Sequence, residues 1–224
     1  MSAQPPTDTT TEPWTSKGST PPDPTESSAS SLDGGAATPE RPKRRWGPIL
    51  GGAAGAIVAA VVVAVVTRPG SSSMPSVDRW TAFSDPDGRF TVSMPKQPER
   101  TTQQESAAGL TLDIIVFTAA YSDSAVVVGY SDYPDDLELG TPEQVLDGAT
   151  QGAAEATEGT VISSMAVTVA GRPAMNADIQ SERGRALSTF VLDGRRLYVL
   201  TTAGRESRND IQRHLSDSFT LTGG

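Results

Sequence analysis

The sequence predicts an α+β domain, built on a mainly antiparallel β-sheet with two flanking helices, behind one transmembrane helix and a disordered N-terminal tail. Three shifts in composition and periodicity lead to this prediction. Residues 1–46 are rich in Pro, Ser and Thr and end in a basic cluster, and residues 47–67 contain an unbroken apolar run. After a stalk over residues 68–77, residues 78–222 alternate between strand-like and helix-like patterns.

The tail has almost no large apolar side chains in its first 40 residues, where Trp14 and Leu32 are the exceptions. Such a segment cannot offset the entropy of ordering by burial, so we expect it to be disordered. Two interpretations stay open. The tail is either a phosphorylated docking segment, whose phosphates would change the attraction of the basic cluster to a membrane, or a solvated lead-in with no function of its own.

The segment Ile49–Val66 has 18 residues and no charged or polar side chain. As a helix it would span about 27 Å, close to the roughly 30 Å of a bilayer's hydrocarbon core. One basic residue, Arg68, follows it closely, and four precede it. The four are Arg41, Lys43, Arg44 and Arg45. This asymmetry predicts a single-pass protein of the cell membrane with a cytoplasmic N-terminus and an extracytoplasmic C-terminal domain.

Two other interpretations of the apolar segment are a cleaved signal peptide and a buried core helix. A signal peptide is disfavoured because residues 1–46 precede the apolar run, which is also longer than the usual apolar region of such a peptide. A core helix is disfavoured by the length of the run and by its basic flank. The lipid bilayer is therefore the predicted partner of Ile49–Val66. Gly51 and Gly55 have the spacing that lets two helices approach closely, which makes a homodimer through them an option.

Charge and composition exclude several classes of function. The formal net charge is −9, and from Arg68 onward 21 acidic residues stand against 13 basic ones. Nucleic-acid binding depends on Lys and Arg, so an acidic domain argues against it. The absence of cysteine excludes disulfides, thiolate catalysis, lipid attachment at a cysteine and cysteine-based metal sites. The frequent Ala, Gly, Arg, Asp, Thr and Val are typical of a high-GC actinobacterial genome.

The first half of the domain predicts four strands. They are Trp80–Phe83, Arg89–Met94, Leu110–Ala120 and Ala125–Tyr133. Asp85-Pro-Asp-Gly88 has the residues of a tight turn between the first two strands. The third and fourth strands are apolar on both faces at their centres, so we expect them in the middle of the sheet.

A helix and a second group of strands follow. Thr141 is the predicted N-cap, with Pro142 at the first helical position and Gln144 completing a capping box; the helix should end near Thr157. Four further strands and an amphipathic helix complete the order ββββ-α-ββββ-α. These are Thr160–Val169, Arg172–Gln180, Arg185–Leu192 and Arg195–Thr202, with the helix over Glu206–Ser218.

Three segments of the domain resemble the PsbP-like superfamily. They are Asp87-Gly-Arg-Phe-Thr-Val-Ser-Met-Pro95, Val169-Ala-Gly-Arg-Pro-Ala174, and Gly194-Arg-Arg-Leu-Tyr-Val-Leu200 followed by Asp217-Ser-Phe219. In this order and spacing, residues 78–222 are similar to the PsbP and DcrB-type α/β/α sandwiches. The resemblance implies a non-catalytic accessory or binding module. It carries over no catalytic, cofactor-binding or metal-binding residue.

The single histidine, His214, lies in the last predicted helix with Asp210 and Asp217 at spacings that share one helical face. It is either a pH-sensitive group or metal ligand, or an ordinary surface histidine, which we favour. No G-x-S-x-G motif supplies a nucleophile for it.

Four acidic side chains lie close together in the loop Asp132–Glu138. Their oxygens suit Ca²⁺, but their spacing is not that of an EF-hand, so cation binding and an ordinary acidic loop both stay open. No cofactor is predicted.

From these observations we predict a non-enzymatic, membrane-anchored envelope protein whose extracytoplasmic domain binds a protein partner or a small ligand. Two alternatives remain. The first is a transmembrane sensor or regulator that signals through the cytoplasmic tail, and the second is an unrecognised extracytoplasmic hydrolase.

Overall fold

The structure, a computed structural model, describes residues 73–107, 110–204 and 208–223. In this part of the chain a 3₁₀ turn over Val77–Arg79 precedes ten strands and two helices. The strands are β1 (Thr81–Ser84), β2 (Phe90–Met94), β3 (Glu99–Ala107), β4 (Leu110–Ala120), β5 (Ser124–Asp132), β6 (Thr160–Val169), β7 (Arg172–Ser181), β8 (Gly184–Asp193), β9 (Arg196–Gly204) and β10 (Thr220–Leu221). The helices are α1 (Pro142–Ala156) and α2 (Asn209–Ser218).

Seven strands form one large antiparallel sheet in the order β3-β4-β5-β9-β8-β7-β6, and β1, β2 and β10 form a small one. The predicted α+β class with a mainly antiparallel sheet is confirmed. Strand β5 lies between β4 and β9, and all but its first and last residues are buried. Strand β5 is apolar on both faces because it lies inside the sheet, as the sequence predicted.

Helix α1 covers one face of the large sheet. The side chain of Thr141 accepts a hydrogen bond from the Gln144 amide at 3.4 Å, and Gln144 Oε1 accepts one from the Thr141 amide at 3.0 Å. This is the predicted capping box, with Pro142 at the start of the helix. The buried side of α1 packs on inward-facing residues of the large sheet. Its members are Val145, Leu146, Ala149, Ala153 and Ala154.

The opposite face of the large sheet is covered by the small sheet together with α2. Phe90 is fully buried at the centre of this second core, and five aromatic rings have centroids between 5.6 and 6.3 Å from its own. They belong to Phe83, Phe117, Tyr130, Tyr198 and Phe219. The domain is thus a three-layer sandwich of α1, the large sheet, and the small sheet with α2.

The predicted turn at Asp85–Gly88 is confirmed. The Gly88 amide donates to the Asp85 carbonyl at 2.8 Å, and Gly88 has a φ of 68°, which glycine adopts without strain. The turn brings β2 back against β1, so that Phe83 lies opposite Val92.

Two strands were missed by the sequence prediction, which counted eight. Strand β3 has no alternation of apolar residues, because it is an edge strand whose described side chains are all exposed. It pairs with β4 from Glu99, opposite Thr118, onward. Strand β10 has two residues and is defined by its pairing with β2. Neither strand carries the periodicity of a buried face, so the pattern alone could not find them.

Within the described ranges, no helix is both long enough and apolar enough to cross a membrane. The predicted transmembrane segment Ile49–Val66 and the predicted tail lie outside these ranges. So do residues 206 and 207, the first two of the last predicted helix, Glu206–Ser218; in the structure this helix spans Asn209–Ser218.

Candidate functional site

Strand β6 is one edge of the large sheet, and within the described residues it pairs with β7 and with no other strand. None of its ten residues is charged, none is buried, and seven are exposed. An edge strand presents a row of unpaired N–H and C=O groups to which a strand from another chain can pair. Strand β6 therefore offers an uncharged backbone surface along one side of the domain.

Two large hydrophobic side chains are exposed on this strand. Ile162 is 59% exposed and Met165 is 62% exposed, and they are the exposed large hydrophobics of the described residues. A single exposed apolar side chain is ordinary on a protein surface. Both stand on one uncharged edge strand, which makes β6 a candidate interaction site among the described strands.

The opposite edge of the large sheet differs in chemistry. Strand β3 includes Glu99, Arg100 and Glu105, and Arg100 is paired with Asp87 at 2.9 Å. Charged side chains on an edge strand oppose pairing with another chain, because the added strand would have to bury or displace them. Charged side chains therefore protect β3 from pairing with another chain, as they commonly do on edge strands, whereas β6 has no charged side chain.

A β-bulge interrupts β6 near its start. Val161 lies opposite Ile179 and Ser163 lies opposite Asp178, so Ile162 has no residue opposite it. A bulge disturbs pairing locally and bends the strand. From Ser163 to Val169 the register with β7 is regular, which leaves seven residues, about the length of an average strand, in position to accept another strand.

A groove of about 420 Å³ opens beside the C-terminal half of β6, between the first turn of α1 and the hairpin that joins β6 to β7. This volume falls within the range of ligand pockets, roughly 300–1,000 Å³. Apolar side chains form much of its lining, and the charged residues Glu143 and Arg172 lie among them. The apolar lining includes Leu146, Val167, Ala174 and Met175.

The groove owes its shape to small side chains and a tight turn. Ala166 and Thr168 line it from β6, and both are small and exposed. The hairpin turns through Ala170 and Gly171, which have φ values of 50° and 74°. Two consecutive residues with positive φ make the shortest hairpin, so the chain leaves β6 and enters β7 without a loop that could cover the groove.

The charges at the groove are of both signs. Arg172 Nε lies 2.8 Å from Asp193 Oδ1, and both side chains are partly exposed. Glu143 stands in the first turn of α1, where a negative charge is favoured by the helix dipole. The groove thus has an apolar interior and one exposed charge of each sign in its walls.

The acidic loop predicted as a possible cation site is occupied by an arginine of the chain itself. The Arg195 guanidinium donates to the carbonyls of Tyr133, Pro134 and Leu137, the last at 2.6 Å, and it lies 3.5 Å from Asp135. These carbonyls are the kind of oxygen that Ca²⁺ would use. The described residues contain no group of three or more metal-ligating side chains. The loop is therefore held by Arg195.

His214 packs against Trp80 of the second core. Its ring meets that of Trp80 edge-on, with centroids 5.3 Å apart, and its Nε2 atom is buried without a hydrogen-bond partner in the structure. Asp210, which the helical spacing placed near it, lies 3.6 Å from Arg208. The arrangement is that of a histidine that packs on an aromatic ring, and it belongs to no group of three or more metal-ligating side chains among the described residues.

A cluster of arginine, tyrosine and aspartate, which the sequence analysis missed, lies where the Asp85–Arg89 turn meets the large sheet. Two guanidinium groups lie over the Tyr130 ring, that of Arg89 at 5.2 Å and that of Arg196 at 5.6 Å from its centroid. Arg196 also donates two hydrogen bonds to Asp132, at 2.6 and 2.8 Å. Arg89 lies 3.8 Å from the same Asp132, and its Nε atom is buried without a hydrogen-bond partner among the described residues. The cluster joins the turn before β2 to strands β5 and β9 of the large sheet.

No sequence signal marked this cluster because its members come from distant parts of the chain. Arg196 lies opposite Asp132, and Tyr198 lies opposite Tyr130, on neighbouring strands. Only the register of β5 against β9 reveals these pairs. Burial and then the hydrogen bond to Asp87 raise the pKa of Tyr130 to about 12, so its hydroxyl stays protonated at neutral pH.

No protein-family model matches the chain, and no curated protein matches it. Among solved structures, it is similar to the solution structure of cyanobacterial PsbP from Synechocystis, with 16% identity, a TM-score of 0.46, and coverage of 68% of this chain and 98% of that one. It is also similar to LpqN of Mycobacterium tuberculosis, described as involved in cell envelope biogenesis, with 16% identity, a TM-score of 0.31 and coverage of 64% and 91%.

A third similar structure is PA94 of Pseudomonas aeruginosa, a protein of unknown function, with 10% identity, a TM-score of 0.27 and coverage of 61% and 88%. The sequence resemblance to the PsbP-like superfamily is thus met by a PsbP among the similar structures. At these identities the likeness concerns the fold alone. The functional argument below therefore uses the contacts of this chain.

Proposed function

We propose that this chain is a non-enzymatic envelope protein whose extracytoplasmic domain binds a protein partner by strand addition at β6. The added strand would pair with the backbone of β6, and some of its side chains would enter the neighbouring groove. One observation carries the proposal: an uncharged edge strand, with Ile162 and Met165 exposed, runs directly beside an apolar groove.

In strand addition, backbone and side chains contribute differently to binding. Hydrogen bonds between the two backbones supply affinity that does not depend on sequence, and pockets for alternate side chains supply specificity. Ala166 and Thr168 are two residues apart and therefore point to the same face of the sheet. Both line the groove, so side chains of an added strand on this face would lie beside it.

The charge of the domain restricts the partner. From Arg68 onward the acidic residues exceed the basic ones by eight. A partner segment with several acidic residues would be repelled, whereas a neutral or basic extended segment would meet no such barrier. The partner strand is therefore proposed to be uncharged or weakly basic and rich in apolar side chains.

The envelope location rests on the predicted membrane helix Ile49–Val66 and its basic flank, which are expectations from the sequence. The transmembrane sensor and the extracytoplasmic hydrolase remain alternatives, and no contact among the described residues favours either of them. For a hydrolase, the histidine would have to stand beside a nucleophile, whereas the ring of His214 packs on Trp80.

Photocrosslinking in the full chain tests the proposed function. Ser164, exposed in the regular part of β6, is replaced by p-benzoylphenylalanine, and membranes of the producing cells are irradiated. The matched control places the same residue at Thr102, exposed on β3. We expect a covalent protein adduct from position 164 and none from position 102. No adduct at position 164, or the same adducts at both positions, would refute binding at β6.

A further inference from the structure

We infer that the protein partner of β6 is the β6 strand of a second copy of this chain. This inference rests on the proposed function, because it names the occupant of the same edge and groove. Two copies related by a two-fold axis normal to the large sheet would place their β6 strands side by side and antiparallel. The two seven-stranded sheets would then be continuous.

Symmetry fixes which residues meet. A two-fold axis normal to the sheet keeps each face of the sheet on the same side, so residues that lie opposite each other point to the same face. One residue at the centre of the strand must therefore lie opposite its own counterpart. Met165 lies in the regular part of β6 and is 62% exposed, and with the axis at this residue the two methionine side chains cover each other.

The same axis aligns regular residues of β6 with the groove. When Met165 lies opposite Met165, Ser164 of one copy lies opposite Ala166 of the other, and Ala166 lines the groove. Both positions belong to the part of β6 whose register with β7 is regular. Antiparallel pairing thus brings Ser164 of each copy beside the groove of the other.

Electrostatics also favours a second copy over a charged partner. Strand β6 has no charged residue, so two acidic domains can approach along it without like charges in contact. Exposed Glu158 precedes the strand, and exposed Arg172, which forms an ion pair with Asp193, follows its hairpin turn. Antiparallel pairing brings Glu158 of each copy toward the Arg172 guanidinium of the other, whose several N–H donors can bind a second carboxylate beside Asp193.

The composition of the position-164 adduct tests the inference. We expect it to have twice the mass of the chain, 23.4 kDa for one copy, and to yield peptides of this chain alone. The position-102 control shows whether proximity of the membrane helices is sufficient for crosslinking. An adduct that contains another protein would overturn the second-copy inference and leave strand addition standing. The absence of an adduct would overturn both.

Charge exchange at the axis gives an independent test. In a chain that carries the crosslinker at position 164, Met165→Lys places two like charges opposite each other, and Met165→Glu does the same with the opposite sign. We expect each variant alone to lose about tenfold of the adduct, the effect of opposing like charges at close range. Production of both variants together should restore the adduct, because Lys then lies opposite Glu.

Folding of the charge variants is controlled by their melting temperature, which should be unchanged because Met165 is exposed. If Met165→Lys lowers it, Thr168→Lys, at an exposed position beside the groove, replaces it and should weaken the adduct likewise. Undiminished adduct from the charged variants, or no restoration on mixing Met165→Lys with Met165→Glu, would overturn pairing of two β6 strands about Met165.

Discussion

The hydroxyl of Tyr130 donates a hydrogen bond to Oδ2 of Asp87 at 3.0 Å, and this contact joins a central strand of the large sheet to the turn before β2. The same carboxylate oxygen lies 2.9 Å from Arg100 Nη2 on strand β3. Asp87 opens the segment that resembles the PsbP-like superfamily, and Phe90, three residues later, is fully buried. The segment therefore links the two sheets by a polar contact and an aromatic one in a single stretch of chain.

We expect Tyr130→Phe to lower the free energy of unfolding by about 1 kcal/mol. The substitution keeps the buried ring and removes one hydrogen bond to a half-exposed carboxylate, whose net contribution is of this order. Urea denaturation of the wild type and the variant measures the difference. The control is Tyr121→Phe, where the ring contact with Lys96 at 4.5 Å is kept and a smaller change is expected. Equal effects of the two substitutions would contradict a special role for Asp87.

Alkaline pH should destabilise the domain through its tyrosines. Burial raises the pKa of Tyr121, Tyr130, Tyr133 and Tyr198, and that of Tyr130 reaches about 12. A raised pKa means that the folded domain favours the neutral phenol. Its contribution is complete below the unfolded pKa, about 10, and is lost as pH rises through the folded pKa.

Thermal melts should therefore show a fall in melting temperature from about pH 10 to about pH 12. In this window Tyr130→Phe should fall less steeply than the wild type, because one of the shifted phenols is absent. A wild-type melting temperature that stays level across the window would contradict the predicted contribution of the neutral tyrosines to stability.

Gln212 should be the most sensitive polar residue of helix α2. Its Nε2 donates to Thr189 Oγ1 at 2.9 Å and to the Leu200 carbonyl at 3.1 Å, and its Oε1 accepts from Thr202 Oγ1 at 3.0 Å. We expect Gln212→Leu to lower the free energy of unfolding by about 2–3 kcal/mol, because several buried polar groups lose partners. Exposed Arg213→Ala on the same helix should change it by less than about 0.5 kcal/mol. Chemical denaturation of the wild type and both variants measures these changes in the free energy of unfolding.

Arg195 should determine the order of the acidic loop. In Arg195→Ala the carbonyls of Tyr133, Pro134 and Leu137 lose their donor, so amide exchange over residues 133–138 should become faster. Millimolar Ca²⁺ should leave the melting temperature of the wild type unchanged, because the guanidinium already occupies these oxygens. A rise in melting temperature with Ca²⁺ would support cation binding by this loop.

The predictable part of the fold is the part with a buried face. Alternation at Phe90, Val92 and Met94 and the capping box at Thr141 were sufficient to predict β2 and the start of α1, because burial and capping leave a local pattern. Strand β3 leaves none, since an exposed edge strand is defined by its neighbour. The proposed binding surface at β6 was not foreseen for the same reason: the strand was predicted, but its position at an edge depends on the order of the whole sheet.

The two-residue strand β10 affects the order in which the domain can fold during synthesis. Thr220 pairs with Thr91, and their hydroxyls lie 2.6 Å apart across 129 positions of the chain. Such a contact closes a very long loop and forms late. A chain that emerges N-terminus first must therefore leave the small sheet open until Thr220 and Leu221 arrive. A chain cut before Thr220 would leave β2 with an unpaired edge, so closure of the small sheet depends on two residues that are far from β1 and β2 in sequence.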